Sequence, residues 1–232
     1  MDFKELQKKL EIKFKSEDLL KQAFVHRSYL NENPAFILGH NERLEFLGDA
    51  VLELVVTEYL YKNYPDLAEG EMTNLRAALV NAQMLSQISD RLGFNEFLFL
   101  SKGEAKEIGR GRQYILANTF EAFIGALYLD QGYVASQNFI NKNLIPELRD
   151  IIVKKLWRDA KSLFQETSQE RVGITPTYEV ISESGPDHAK KFVIGVYLEK
   201  ELVAKGEGSS KNEAQQKAAE NALGVKHWGH ID

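Results

Sequence analysis

The sequence predicts two domains of different class: an all-α domain, then a small α+β domain with the order helix, three strands, helix. Three observations carry this expectation. A length of 232 residues suits one large and one small folding unit. Apolar residues recur at spacings of three and four from Asp2 to about Arg149, the period of a helix. After about Leu156 the pattern turns to short β-rich runs bounded by turn residues. The expected boundaries are 1–153 and 156–226, with no Pro/Gly/Ser linker between them.

In the first domain the helical spacing is clearest in Leu44, Leu47, Val51, Leu54, Val55 and again in Phe120, Phe123, Ile124, Leu127. Breaks are expected at Asn33-Pro34, Tyr64-Pro65-Asp66, near Gly93, from Gly103 to Arg112, and at Gln131-Gly132. The second domain opens with a short amphipathic helix from Asp159 to Thr167. Strands follow at Thr177–Ser182, Lys191–Leu198 and Glu201–Lys205, the last two joined by a tight Glu199-Lys200 turn. A final helix, capped by Ser209 or Ser210, runs through Ala214, Ala218 and Ala222.

Composition narrows the function classes. The chain is 44% hydrophobic and 27% charged, the profile of an ordinary soluble protein. It has no cysteine, which excludes disulfides and thiolate metal sites and fits a reducing cytoplasm, the expected location. The opening MDFKELQKKLEIKFK mixes charges with apolar residues, so neither a signal peptide nor a membrane span is expected. The net charge is −5. Residues 1–155 hold 19 Lys+Arg against 22 Asp+Glu, and residues 156–231 hold 10 against 11. Neither half is a basic block, so a nucleic-acid site here must be a local patch or must use metal ions to tolerate phosphate.

The most informative stretch is Asn41 to Ala50. On a helix Glu42, Glu45 and Asp49 fall at i, i+3 and i+7 and form one narrow acidic stripe. Asn118 and Glu121 are likewise three apart, within an otherwise apolar helix. Spacing alone leaves two readings open. The acids are either an ordinary solvated face, or oxygen ligands from two crossing helices that gather around a hard cation such as Mg²⁺. Their sequence neighbours are Leu, Phe and Gly rather than Lys and Arg, so no ion-pair partner is evident. Gly48 inside this helix costs about 1 kcal/mol against Ala, which suggests close backbone packing.

The run ERLEFLGDAVL, Glu42 to Leu52, resembles the signature of the ribonuclease III family. The resemblance extends to His26-Arg27-Ser28-Tyr29, Glu69-Gly70, Leu75-Arg76-Ala77, Leu79-Val80-Asn81, Ile115-Leu116-Ala117 and Glu121 through Ala126. It covers essentially the whole chain in the bacterial two-domain form. It implies an endonuclease for double-stranded RNA in which Glu45, Asp49, Asn118 and Glu121 hold Mg²⁺, with Mn²⁺ as a substitute. Asp49, Glu121, Glu42 and Glu69 are the implied catalytic acids, the last two lining the cleavage valley and some acting across a homodimer. The implied products carry 5′-phosphate and 3′-hydroxyl ends with short 3′ overhangs, and the implied roles are processing of ribosomal precursor and messenger RNA. One position departs from the pattern, because the family commonly has Asp where this chain has Asn118. An amide oxygen still binds Mg²⁺ but removes one negative charge, which leaves a non-cleaving duplex-binding protein as the alternative.

The second domain resembles the double-stranded RNA-binding domain, with Pro176-Thr177-Tyr178, Gly185 to His188, Phe192-Val193 and Gly206 to Lys211 as support. The resemblance implies three contacts with duplex RNA. Gln165 and Glu166 would meet one minor groove, the loop of Pro186 and His188 the next, and Ser210 with Lys211 the phosphates between. Lys217 is either a further phosphate contact or a solvated lysine. Outside these sites, His26 is expected to pack or hydrogen-bond near a helix end, and Glu53 and Glu58 to face solvent. Val51, Leu52, Val55 and Val56 are open to two readings, dimer interface or core.

Overall fold

Side-chain caps set the first helix starts. Asp2 accepts the N–H of Lys4 at 2.9 Å ahead of α1 (Phe3–Leu10), and Ser16 accepts that of Leu19 at 3.2 Å ahead of α2 (Glu17–Ala23). His26 does the same for α3 (Arg27–Glu32), its Nδ1 accepting from Ser28. Each cap satisfies an N–H that the first helical turn leaves without a partner. The computed structural model describes residues 2–153, 160–186 and 190–228. The chain divides into two units, Met1–Trp157 and Arg158–Asp232.

The first unit continues with α4 (Glu42–Asn63), α5 (Glu69–Leu79), α6 (Ala82–Leu92), α7 (Arg110–Gln131), α8 (Tyr133–Asn143) and α9 (Leu148–Val153). Gly93, at φ 82°, ends α6 in the left-handed conformation that glycine adopts without steric cost. The break expected to reach Arg112 is shorter, because Gly109 at φ 73° turns the chain directly into α7. The core gathers around α4 and α7, where Phe24, Phe94, Phe120 and Phe123 are fully buried. Phe24 meets Phe94 edge-on at 5.1 Å, and Phe94 lies 5.1 Å from Phe123. Val51, Leu52, Val55 and Val56 all belong to this core. The interface reading of that stripe is therefore wrong for this chain. Those four residues turn toward α7, and the apolar side chains of α4 that remain exposed are Phe46, Leu54 and Tyr61.

In the second unit α10 (Ala160–Val172) precedes β1 (Thr177–Ser184), β2 (Lys191–Leu198), β3 (Glu201–Gly208) and α11 (Lys211–Val225). The strands form one antiparallel sheet in the order β1-β2-β3. Three elements outrun their expected ends: α10 reaches Val172, β1 reaches Ser184 and β3 reaches Gly208. Glycine ends β3 for a packing reason. A Cβ at Gly206 would lie 2.1 Å from the Ala218 nitrogen, and one at Gly208 would lie 2.6 Å from that of Ala214. The alanine face of α11 thus rests directly on the strand. Phe164, Val196, Leu198, Ala218, Ala222 and Trp228 close this smaller core, with Trp228 stacked on Phe164 at 5.5 Å.

Candidate active site

Two glycines bring the acidic residues together. A Cβ built on Gly48 of α4 would lie 1.7 Å from the Glu121 carbonyl oxygen, and one on Gly125 of α7 would lie 2.1 Å from that of Leu44. Only hydrogen fits at either position, so the two helices cross backbone to backbone. The crossing carries Glu45 and Asp49 on α4 toward Asn118 and Glu121 on α7. At its start α4 is tied down by Asn41, which is buried and donates from Nδ2 to the Ala23 carbonyl at 3.0 Å.

The electrostatics of the crossing are those of crowded acids. Burial first, and then the charges of Asp49, Glu45 and Glu53, push the Glu121 carboxyl from its ordinary 4.5 up to about 8. Glu45 is raised too, by burial and by Glu42 and Asp49, while a hydrogen bond from the Asn118 amide opposes the shift. Asn118 therefore lies beside Glu45, and its amide partners that carboxyl. Asp49 is exposed at the rim. Among the described residues no three His, Asp or Glu side chains converge tightly enough to hold an ion as they stand. They are close enough to shift each other's protonation, and all offer oxygen, the donor that Mg²⁺ and Mn²⁺ prefer. A site that holds a proton against three neighbouring charges is one that a cation would also relieve, so the residues present fit a hard divalent ion.

Of the other implied acids, Glu42 lies close enough to raise Glu45, while Glu69 sits on a different helix. Glu42 reaches Arg27, with Nη1 to Oε1 at 3.5 Å, so it has the ion-pair partner that its sequence neighbours did not reveal. Glu69 opens α5, is exposed, and accepts from the Thr73 hydroxyl at 3.1 Å. Two residues expected to face solvent do so only in part. Glu53 is half-buried and contributes to the shift of Glu121. Its place one turn beyond Asp49, at i+4 on the acidic helix, was the available signal. Glu58 is held by the Tyr133 hydroxyl, by Gln137 at 3.0 Å and by Lys62. His26 has the structural part expected of it, with Ser28 Oγ 2.8 Å from its Nδ1, and burial lowers its pKa.

In the second unit Gln165 and Glu166 are exposed on α10. Pro186 is exposed at the end of the described part of its loop, and His188 lies outside the described residues. Ser210 caps α11, its hydroxyl accepting the Glu213 N–H at 3.2 Å. Lys211 opens that helix with its ammonium 5.8 Å from the centre of the Phe192 ring. Lys217 is paired with Glu220 at 2.7 Å, which leaves less of its charge for a phosphate.

Residues 16–148 match the family model described as Ribonuclease-III-like, and residues 160–225 match the double-stranded RNA binding motif. Relatives named Ribonuclease 3 match along most of the chain. That of Oceanobacillus iheyensis is 47% identical over 223 residues, 96% of this chain and 97% of the relative. That of Geobacillus kaustophilus is 46% identical over 221 residues, 95% of this chain and 89% of the relative. Among solved structures, the nuclease domain of ribonuclease III from Campylobacter jejuni aligns with a TM-score of 0.57 at 36% identity. That alignment covers 62% of this chain and 97% of the other, whose description speaks of a region involved in dimer formation.

Proposed function

The chain belongs to the ribonuclease III family and is an endoribonuclease, and from that premise we propose that it hydrolyses phosphodiester bonds of double-stranded RNA in a Mg²⁺-dependent reaction. The single observation that supports the metal dependence is Glu121, a carboxyl held near pKa 8 by burial and by acids on a neighbouring helix. Residues 1–153 are the proposed catalytic domain and residues 156–226 the proposed duplex-binding domain.

Glu45, Asp49, Asn118 and Glu121 would hold Mg²⁺, or Mn²⁺ in its place. Once bound, such an ion lowers the pKa of water and offsets charge on the scissile phosphate. The chain's own residues do the rest. Asn118 orients Glu45 through its amide, and Glu121 gives up its proton when its neighbours' charge is neutralised. Glu42, with Arg27 beside it, and Glu69 line the approach. Addition of water to phosphorus with the 3′-oxygen as leaving group would give 5′-phosphate and 3′-hydroxyl ends, and staggered cuts by two copies of the site in a homodimer would leave a short 3′ overhang. The exposed Phe46 and Leu54 of α4 suit that contact, since large apolar side chains left in water mark association surfaces. Gln165, Glu166, Pro186, His188, Ser210 and Lys211 would hold the duplex, with Lys217 secondary. Processing of ribosomal precursor and messenger RNA in the cytoplasm is the proposed role. No described helix is long and apolar enough to cross a membrane.

Asn118 gives a second reading its footing, that of a duplex-binding protein without turnover. Incubating long duplex RNA with the purified protein, with Mg²⁺ or with EDTA, separates the two. Metal-dependent shortening supports cleavage, and a shift in mobility without shortening supports the binder. In the cleaving case Asn118→Asp is expected to lower the Mg²⁺ concentration needed for half-maximal rate. An unchanged requirement removes Asn118 from the ligand set.

A further inference from the structure

Both helices of the second unit pack on one face of its sheet, through Phe164 of α10 and the alanines of α11. Alternation along β2 sends Val196 and Leu198 into that core and leaves Val193, Gly195 and Tyr197 on the opposite, outer face. A Cβ built on Gly195 would lie 2.8 Å from Leu202 Cδ1, 2.9 Å from Tyr197 Cε2 and 3.0 Å from Ile181 Cδ1. Side chains from all three strands therefore fold over this glycine. None of the three belongs to the unit's core, and Ile181 and Leu202 stay 41% and 40% exposed.

Charge frames this apolar patch. Glu179, Gly195 and Lys205 are register partners across β1, β2 and β3, so the two charged side chains share the outer face, one on each side of the glycine. Both are exposed, and neither side chain has an ion-pair or hydrogen-bond partner among the described residues. One acid and one base at equal distances from a central glycine form a pattern that a half-turn about the β2 direction exchanges. A partner of either single sign would be repelled at one end of that row. A second copy, laid face to face after the half-turn, is attracted at both ends: Glu179 meets Lys205 of the second copy, and Lys205 meets its Glu179. The neighbouring row of Thr177, Tyr197 and Leu202 then sets Tyr197 over its own counterpart and Leu202 over the threonine methyl. Such self-complementarity is what a two-fold contact requires.

We propose that the outer face of this sheet pairs with the same face of a second copy of the chain, about a two-fold axis parallel to β2. The contact is separate from the one at Phe46 and Leu54 of α4, and it does not depend on cleavage. Three strands of eight residues present roughly 380 Å² a side, well under the area that holds free proteins together by itself. The pairing therefore joins copies already held near one another, as a homodimer or a shared duplex holds them. Because α10 and α11 lie on the far side of the sheet, it leaves Gln165, Glu166, Ser210 and Lys211 uncovered.

The chain has no cysteine, so a single introduced thiol is a clean cross-linking probe. Val193→Cys places it on β2, where the two-fold axis sets it opposite its own counterpart across about 10 Å. The full chain, at roughly 0.5 mM so that even a weak contact is populated, is treated with a bis-maleimide of matching reach. A two-chain product is expected at least about fivefold faster than from Val225→Cys, an exposed position at the end of α11. On the Val193→Cys background, Glu179→Lys and Lys205→Glu are each expected to slow the product about fivefold, since either turns two opposed pairs into repulsions. The two reversals together are expected to restore the rate to within about twofold. Equal rates from the two thiol positions, or a rate indifferent to both reversals, overturn the pairing. Single reversals that slow the reaction without rescue by the double overturn the two-fold arrangement.

Discussion

Glu121 shows how one residue registers its surroundings. Its folded pKa of about 8 stands above the ordinary 4.5, so between those values the folded chain keeps a proton that the unfolded chain releases. Stability from this group is whole below about pH 4.5 and is lost as pH rises through 8, at no more than about 1.4 kcal/mol per pH unit. Glu45, also raised, acts in the same direction. In EDTA the urea midpoint is therefore expected to fall from pH 5 to pH 8, and Glu121→Gln should flatten that fall. Parallel curves for the two proteins would show that Glu121 titrates normally. Helical spacing put Glu45 with Asp49 on one side of α4 and Asn118 with Glu121 on one side of α7, but by itself it left open whether the two pairs meet. The setting of Glu58 was not legible, since Tyr133 and Gln137 lie 75 and 79 residues away and no local period reports them. Arg27, which pairs with Glu42 across the α3–α4 connection, was hidden for the same reason.

At the scale of elements, the α4–α7 crossing is the contact on which the site depends. Gly48→Ala would put a methyl carbon where the Glu121 carbonyl now sits, and neither backbone has room to yield. A loss of about 3 kcal/mol or more is expected, as for severe overpacking, together with loss of cleavage. Gly70→Ala is the matched control, because a Cβ there meets nothing within 4 Å and falls in the first turn of α5. Thermal unfolding of the two variants beside the parent checks the contrast, and equal melting temperatures would refute the tight crossing. The sequence announced this contact through a helix-interior glycine between acids, although it did not say which helix would arrive. Strand ends were less legible. Gly206 and Gly208 lay beyond the expected end of β3 at Lys205, yet they extend the strand, and α11 packs where their side chains are missing.

Across the whole molecule, the change of period near residue 156 made the two units visible, and the balanced charge of each half remains consistent with local rather than global attraction for RNA. What periodicity could not decide was which apolar residues of α4 face inward. Val51, Leu52, Val55 and Val56 went to the core because α7 occupies that side, while Phe46 stays 83% exposed. If two copies pair through the catalytic domain, Phe46→Asp is expected to shift the mass in sedimentation velocity from dimer toward monomer, with the helical content unchanged. An unaltered dimer would place the interface elsewhere.

Because peptide meets peptide at Gly48 and Gly125, the gap between the two rows of carboxyl-bearing side chains is set by atomic radii. Which aliphatic residue fills the remaining interior hardly enters into it. Exchanges among Leu, Ile and Val elsewhere in the domain can then alter how firmly it folds while leaving the chemistry in register.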